Sequence, residues 1–305
     1  MLVLAACFVP IAGFWGSSLH WAFDLAAQFL LPTVVVACAV AMIAGFSSLP
    51  GIGASALALA VVASANLGPW TAPLPSSSVS TGSKFSVLLL NVWYRNRNIS
   101  LVEKLIKSKR PDLVVLVEAT PRIRDELRSV IQSYAYHVDC LDVSRCGILV
   151  LSRSRLTLQA VKIGGAASIV LNTNFAGCDA TLVLAHLTRP YPFDTTAAQQ
   201  EQAIAIGNEA AAWPGAKLVM GDFNGAPWGH VMQTIASRGK LDLLTGPGGT
   251  WPSYLPKQLR IPIDHMLAGQ GLRFVRREVL DPVGSDHAPV FSEVVASDPS
   301  KCRQP

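Results

Sequence analysis

The chain divides sharply into an apolar first part and a mixed second part. Asp24 is the only formally charged side chain before Lys84, and all 25 lysines and arginines lie from Lys84 onward. A helix needs about 20 apolar residues to cross a bilayer. Three stretches approach that length: residues 2–19, 25–46 and 52–67. The pattern therefore predicts about three transmembrane helices.

Two other interpretations of the apolar part are weaker. A cleaved signal peptide has a basic start and one short apolar core, whereas this segment is long and has no basic residue. A buried helical hairpin of a soluble protein would have to leave residues 25–83 without a charge. Asp24 is either an intramembrane functional acid or, as we favour, a residue near the headgroups beside the first span.

The second part alternates strand-like and helix-like segments. Continuous apolar runs, typical of strands buried on both faces, occur at residues 85–91, 113–117, 148–151, 182–185 and 217–220. Helices are predicted to begin at Ser100 and near Thr120, and a longer helix covers residues 195–213. Because some strands also follow one another directly, the order predicts an α/β domain with helices outside layered sheets.

Charge and cysteines add modest constraints. The whole chain has a net charge of +5, which favours polyanionic partners or simply reflects a moderately basic surface. Cys140 and Cys146 flank a predicted hairpin turn, so their side chains could meet across it. A disulfide there would indicate an oxidising compartment, and two free thiols are the alternative.

Polar residues end several of the apolar strands. A carboxylate or amide at such a position is often only a helix cap or a turn residue. Here, however, every such element ends in Asn, Asp, Glu or His, and together they indicate one site at a rim of the sheets. The residues are Asn91, Glu118, His186, Asp222, Asn224, Asp264, Asp286 and His287.

The motifs that hold these residues occur in a characteristic order: LNV, VEA, AHL, GDFN, IDH and SDH. Over residues 85–295 the chain resembles the endonuclease/exonuclease/phosphatase superfamily, which includes deoxyribonucleases, exonucleases and neutral sphingomyelinases. It also resembles a bacterial, membrane-anchored branch with three amino-terminal spans. The resemblance implies a four-layer α/β/β/α sandwich with the site at one rim.

The resemblance also implies a domain organisation. We expect a transmembrane anchor in residues 1–70 and a flexible linker in residues 71–84. The catalytic domain would follow in residues 85–296, and residues 297–305 would form a tail.

Magnesium is the implied cofactor, with manganese as a substitute. Glu118 fits as the main metal ligand, since a carboxylate oxygen suits a hard cation. Asn91 fits as a neighbour that orients the metal or the base, and Asp286 fits as a group that holds the metal or its waters.

Five residues fit the implied hydrolysis. Asp222 would position or deprotonate the attacking water, and Asn224 would donate to phosphoryl oxygens. His287 would contact the phosphate as acid or base, with its tautomer fixed by Asp264. His186 would contact the scissile phosphate.

Three further residues are assigned roles, and one position differs from the pattern of exonuclease-like members. Thr250 in TWP and Arg95 are candidates for binding substrate phosphate. His265 is predicted to pack rather than react. Trp93 occupies a position where exonuclease-like members often have a second acid, which argues against repair of abasic sites.

The sequence thus predicts a membrane-anchored, magnesium-dependent phosphoesterase. Its substrate would be nucleic acid, a phospholipid headgroup or a small phosphoester, and its amino-terminal spans would contact the bilayer. No protein partner is predicted. We expect a multi-pass protein of a bacterial inner membrane with an extracytoplasmic catalytic domain. The alternative is an inactive scaffold or binding protein that retains the fold.

Overall fold

The structure is a computed structural model that describes residues 2–47, 49–71, 84–175, 177–191, 195–297 and 302. The predicted linker therefore lies almost entirely outside the described residues, as does most of the predicted tail. The nine helices of the described part are α1 (Leu2–Gly16), α2 (Trp21–Ala27), α3 (Leu30–Phe46), α4 (Pro50–Thr71), α5 (Ile99–Lys109), α6 (Pro121–Glu126), α7 (Arg128–Ile131), α8 (Thr196–Ala212) and α9 (His230–Gly239).

Twelve strands in the described residues form two six-stranded sheets. They are β1 (Lys84–Asn91), β2 (Leu113–Val117), β3 (Tyr136–Asp139), β4 (Leu149–Ser152), β5 (Leu156–Val161), β6 (Ala167–Phe175), β7 (Cys178–His186), β8 (Ala216–Asp222), β9 (Asp242–Leu243), β10 (Asp264–Ala268), β11 (Leu272–Val279) and β12 (Val290–Ala296). The first sheet has the order β11-β12-β1-β2-β4-β3, and the second has the order β5-β6-β7-β8-β10-β9.

Both sheets are mixed. In the first, β1 is parallel to β2 and antiparallel to β12. In the second, β8 is parallel to β7 and antiparallel to β10. Parallel neighbours need a crossover, which α5 supplies between β1 and β2 and α8 supplies between β7 and β8.

The pleat of β1 shows how the layers form. Val87 and Leu89 pack between the two sheets, in one cluster with Leu182 and Met220 of the second sheet. Leu88 and Leu90 face the other way and pack with α5 to α7. A third cluster joins the outer face of the second sheet to α8 and α9. Because successive side chains of a strand point to opposite faces, the continuous apolar runs produce helix, sheet, sheet and helix layers, which confirms the predicted sandwich.

The amino-terminal helices correct the prediction of three spans. Among the described residues, only Pro50–Trp70 within α4 is long and apolar enough alone to cross a bilayer. The helices α2 and α3 pass the same test together but are bent by 55° at their junction. The 15 residues of α1 extend about 22 Å at 1.5 Å per residue, short of the ~30 Å hydrocarbon core. One candidate span remains, or two if the bent pair counts as one span, which does not support the three spans of the predicted multi-pass protein.

These helices pack directly on the sandwich. Ala27 and Leu30 lie in one buried cluster with Ala226, Trp228 and Ile263. The indole Nε1 of Trp228 donates to the Ala27 carbonyl at 2.6 Å. The apolar part is therefore joined to the sandwich by tertiary contacts as well as by the chain.

Two disulfides join cysteines of the sandwich. Cys140 and Cys146 are paired, which decides between the two alternatives left open by the sequence. A second bridge, which was not predicted, joins Cys178 to Cys302 across 124 residues. Cys302 thereby fixes the end of the chain to the start of β7, where its carbonyl also accepts from the Asp179 amide at 2.8 Å.

The two bridges should differ in their effect on stability. In the chain-entropy treatment of cross-links, a bridge across 124 residues contributes about 5 kcal/mol and one across 6 residues about 2 kcal/mol. We expect Cys302→Ser to lower the free energy of unfolding more than Cys146→Ser, as measured by urea denaturation. The exposed free cysteine variant Cys38→Ser is the control. Equal losses from both bridges would contradict this expectation.

Candidate active site

Asp222 lies at the centre of the candidate site. It ends β8, and its register partners are His186 at the end of β7 on one side and Asp264 at the start of β10 on the other. Hydrogen-bonded neighbours in a sheet lie about 5 Å apart, so the pairing alone brings the three side chains together. Asp222 is buried, with 1% of its surface exposed.

The other sheet contributes Asn91, which ends β1, and Glu118, which directly follows the parallel strand β2. The Asn91 Nδ2 group donates to Asp222 Oδ2 at 2.9 Å and to Glu118 Oε1 at 3.1 Å. Its Oδ1 accepts from the Trp93 amide at 2.9 Å, which fixes the orientation of the side-chain amide. Asn91 therefore holds two carboxylates together by donating to both.

Two histidines complete the ring around Asp222. His186 Nε2 lies 3.6 Å from Asp222 Oδ2 and 3.8 Å from Glu118 Oε1. His287 Nδ1 lies 2.8 Å from Asp264 Oδ2, and its Nε2 lies 3.8 Å from Asp222 Oδ2. Burial alone would lower the pKa of His287, but the Asp264 and Asp222 carboxylates outweigh it and raise that pKa to about 10. The imidazole is thus oriented by Asp264 and directed toward Asp222.

Asn224 is held in the turn that follows β8. Its backbone is left-handed, with φ of 49°, a conformation that asparagine tolerates better than most residues. Its amide N–H donates to Asp222 Oδ1 at 2.9 Å, and its Nδ2 donates to the Leu187 carbonyl at 2.9 Å. The Gln199 Nε2 group donates to the Asn224 carbonyl at 2.9 Å. These bonds fix the turn beside the site.

The donor set fits a divalent metal ion. Ligand atoms of Glu118, His186 and Asp222 all lie within 4.8 Å of one another. Asp286 Oδ1 is buried and has no hydrogen-bond partner among the described residues, although a buried carboxylate oxygen normally has one. Burial raises the pKa of Asp286, and a cation beside the carboxylate would oppose this. An oxygen-rich set of this kind suits Mg²⁺ or Mn²⁺.

These side chains line one cleft of about 800 Å³. Of the predicted residues, Glu118, His186, Asp222, Asn224, Asp286 and His287 contribute to its walls. The cleft is also lined by Tyr94, Arg145, Arg189 and Trp251, none of which was predicted. The two arginines supply positive charge at the site.

Two predicted phosphate contacts lie elsewhere. Arg95 is outside the lining of the cleft, and its guanidinium lies over the Tyr94 ring, 5.2 Å from the centroid. Thr250 is fully buried, and its hydroxyl accepts from the backbone amides of Ile263 and Asp264 at 3.2 and 3.4 Å. Thr250 therefore supports the start of β10, on which Asp264 lies.

Residues 88–287 match the endonuclease/exonuclease/phosphatase family. The chain belongs to this family. The matched range begins in β1 and ends at His287, so it includes every element that contributes to the cleft. No curated protein matches the chain.

Solved structures of family members have the same fold. An endonuclease/exonuclease/phosphatase from Beutenbergia cavernae is 19% identical, with a TM-score of 0.54 over 70% of this chain and 72% of that one. A double mutant of beta toxin from Staphylococcus aureus with bound magnesium ions is 14% identical, with a TM-score of 0.53 over 70% and 100%. Sphingomyelinase C from Streptomyces griseocarneus is 16% identical, with a TM-score of 0.52 over 69% and 99%. Identities this low establish the fold alone.

Ser285 is a supporting residue that the sequence left unnoticed. Its hydroxyl donates to the Asn91 carbonyl at 2.6 Å and accepts from the His287 amide at 3.0 Å. It therefore ties the loop that carries His287 to the end of β1. Its place at the start of the SDH motif was the available signal.

His265 has the packing position predicted for it, and it also holds the turn after Asp222. Its Nε2 lies 2.8 Å from the Gly225 carbonyl, to which only a protonated Nε2 can donate. Burial disfavours the charged ring, outweighs that bond and lowers the pKa of His265 to about 4. The ring is therefore neutral in the folded protein at neutral pH.

This burial predicts a loss of stability in acid. The unfolded chain has a His265 pKa of ~6.5, so it binds more protons than the folded chain between that pH and about 4. The stabilisation is therefore complete above pH ~6.5 and decreases as the pH falls, by roughly 2–3 kcal/mol between pH 7.5 and 4.5. We expect His265→Phe to lose less stability than the wild type over this interval in urea denaturation. An unchanged pH dependence in the variant would contradict the assignment.

Proposed function

We propose that this protein is a membrane-associated, metal-dependent hydrolase of phosphoesters. The observation that carries the proposal is the buried Asp222 carboxylate, which lies within 4 Å of Asn91, His186 and His287 in a cleft that two arginines also line. Membership of the family supports the reaction class.

Glu118 and Asp286 would hold Mg²⁺ or Mn²⁺, with Asn91 as the neighbour that orients the site, and a bound ion would offset the negative charge of the phosphoryl group. The magnesium ions in the beta toxin structure support this choice of cofactor. Asn91 contributes by orientation, since its Nδ2 group donates to Glu118 and Asp222.

The protein's own groups account for the proton transfers. Asp222 accepts a proton from the attacking water, whose oxygen forms a bond to phosphorus as the bond to the leaving oxygen breaks, and the leaving oxygen takes up a proton from His287 or from solvent. Asn91 and the Asn224 amide hold the two oxygens of Asp222 in place. His287, fixed through Nδ1 by Asp264, presents Nε2 to the phosphoryl group, and His186 contacts it from the opposite side of Asp222.

The cleft supports an anionic substrate. Arg145 and Arg189 line its wall, where guanidinium groups pair well with phosphate oxygens. Nucleic acid, a phospholipid headgroup and a small phosphoester all have this chemistry. The likeness to a sphingomyelinase adds a lipid headgroup to the substrates worth assaying.

The location is part of the proposal. The apolar α4 supports membrane association, as do the large side chains that α1 and α3 expose, such as Phe8, Met42 and Phe46. Two disulfides in the sandwich support an oxidising compartment, and therefore an extracytoplasmic catalytic domain.

The test uses the full chain in detergent with Mg²⁺. Plasmid DNA, sphingomyelin, inositol phosphates and bis(p-nitrophenyl) phosphate are the substrates. We expect hydrolysis of at least one of them that EDTA abolishes and Mg²⁺ restores. Asp222→Asn should lower kcat by about 10²–10⁴ because it removes the base. Asp281→Asn makes the same exchange on a carboxylate whose side chain is 96% exposed, and it should leave kcat unchanged.

Two results would contradict the proposal. A folded chain that hydrolyses a substrate equally well after Asp222→Asn would exclude the proposed base. A folded chain that neither turns over these substrates nor binds Mg²⁺ would favour the inactive scaffold instead. Calorimetric titration with Mg²⁺, compared with the Glu118→Gln variant, measures the second point directly.

A further inference from the structure

The helix α9 begins at His230, six residues after Asn224, and its own N-cap residue makes no side-chain hydrogen bond. The first amides of a helix have no partner within it, and they are usually satisfied by a side chain at the N-cap position. The N-cap of α9 is Gly229, which has no side chain. The cap comes instead from α2: Asp24 Oδ1 accepts from the His230 amide at 2.6 Å, across a separation of 206 residues.

The position of Gly229 matches this arrangement. A Cβ atom on Gly229 would lie 2.6 Å from Asp24 Oδ1, too close for the carboxylate to remain. The backbone conformation does not require glycine, since φ is −79°. The small residue is thus explained by the approach of Asp24.

Asp24 itself is buried within the protein. Only 7% of it is exposed, and it is the single formally charged residue before Lys84. A buried carboxylate is costly unless it is hydrogen-bonded, and the positive end of the α9 dipole further stabilises it. The single charged side chain of residues 1–83 therefore contacts the sandwich and not solvent.

Two more contacts from α2 and its end reach the same segment. The Gln28 Nε2 group donates to the Asn224 carbonyl at 3.4 Å, the carbonyl that also accepts from Gln199. Trp228 donates to the Ala27 carbonyl. The segment from Asp222 to His230 is thus held on one side by the sandwich and on the other by α2.

We propose that Asp24 and Gln28 are positioning residues for catalysis, which fix the turn that carries Asp222 and Asn224. The amino-terminal helices are then part of the working active site and not only an anchor. This inference rests on the proposed function, because it takes Asp222 and Asn224 as the groups whose placement matters. A misplacement of about 1 Å in such a turn can lower a rate by ~10².

The kinetic test uses the full chain in one detergent with Mg²⁺ and bis(p-nitrophenyl) phosphate. We expect Asp24→Ala to lower kcat by at least about tenfold with KM changed by less than about twofold, since the turn and not the substrate contact is disturbed. Asp24→Asn should restore most of kcat because asparagine is an equally good N-cap. Gln28→Ala should lower kcat less. Asn66→Ala, whose side chain binds the Val62 carbonyl in its own helix, is the control.

A mutant cycle tests the contact from the other side. Gly229→Ala should reproduce the effect of Asp24→Ala, because the added methyl displaces the carboxylate. The double variant should be no slower than either single variant, since both remove one interaction. Additive losses would overturn the Asp24 cap as their common cause.

Amide hydrogen exchange gives a readout that does not depend on activity. In Asp24→Ala, exchange should become faster at the start of α9 (His230–Gly239) and stay unchanged in β1 (Lys84–Asn91).

Wild-type kcat and exchange in Asp24→Ala would overturn the proposal while leaving the proposed function intact. If Asp24→Ala exchanges faster throughout, Gln28→Ala decides: a lower kcat with normal exchange in β1 supports positioning, and an unchanged kcat overturns it. A wild type that hydrolyses none of the four substrates and does not bind Mg²⁺ would refute the proposed function, and unchanged exchange at α9 in Asp24→Ala would separately overturn the contact.

Discussion

The burial of one carboxylate governs the arrangement of this site. Asp222 is almost fully enclosed, and an enclosed charge requires hydrogen-bond donors or opposite charge around it. The chain supplies the Asn91 amide group, the backbone amide of Asn224 and the two histidines. These donors come from both sheets, so the site exists only when the two sheets are packed together. Packing of the sandwich and assembly of the site are the same event.

The buried strands and the grouping of site residues at their ends could be predicted, because both depend on the local pattern of apolar and polar residues. Continuous apolar runs predicted the buried strands, and strands place the residues that follow them at one rim. For that reason the grouping of Glu118, His186 and Asp222 was visible from their positions alone. The four layers required the resemblance to a family, since periodicity does not reveal how two sheets face each other. The register that places Asp222 between His186 and Asp264 agrees with the apolar pattern and with the resemblance to the family.

What the sequence did not reveal depends on contacts between distant residues. The bridge from Cys178 to Cys302 spans 124 residues, and spacing carries no information over that distance. Arg145 and Arg189 come from loops, which have no periodicity to mark which side chains enter a cleft. Arg95 was a candidate because of its positive charge after the first strand, and that position does not show which way its side chain points. Hydropathy likewise counts apolar residues and cannot show the bend between α2 and α3 or the surface on which a helix packs.

The nine residues from Asp222 to His230 both contribute to the cleft and contact the amino-terminal helices. Asp222 and Asn224 face the cleft, whereas Trp228 is buried against the amino-terminal helices and His230 opens α9. A turn this short transmits displacement at one end to the other, because close-packed contacts at both ends leave little freedom between them. If α4 lies in a bilayer, the cleft is held near its surface by these same contacts. Membrane association and the geometry of the turn would then depend on the same packed junction, whereas a flexible tether would leave the turn unsupported on that side.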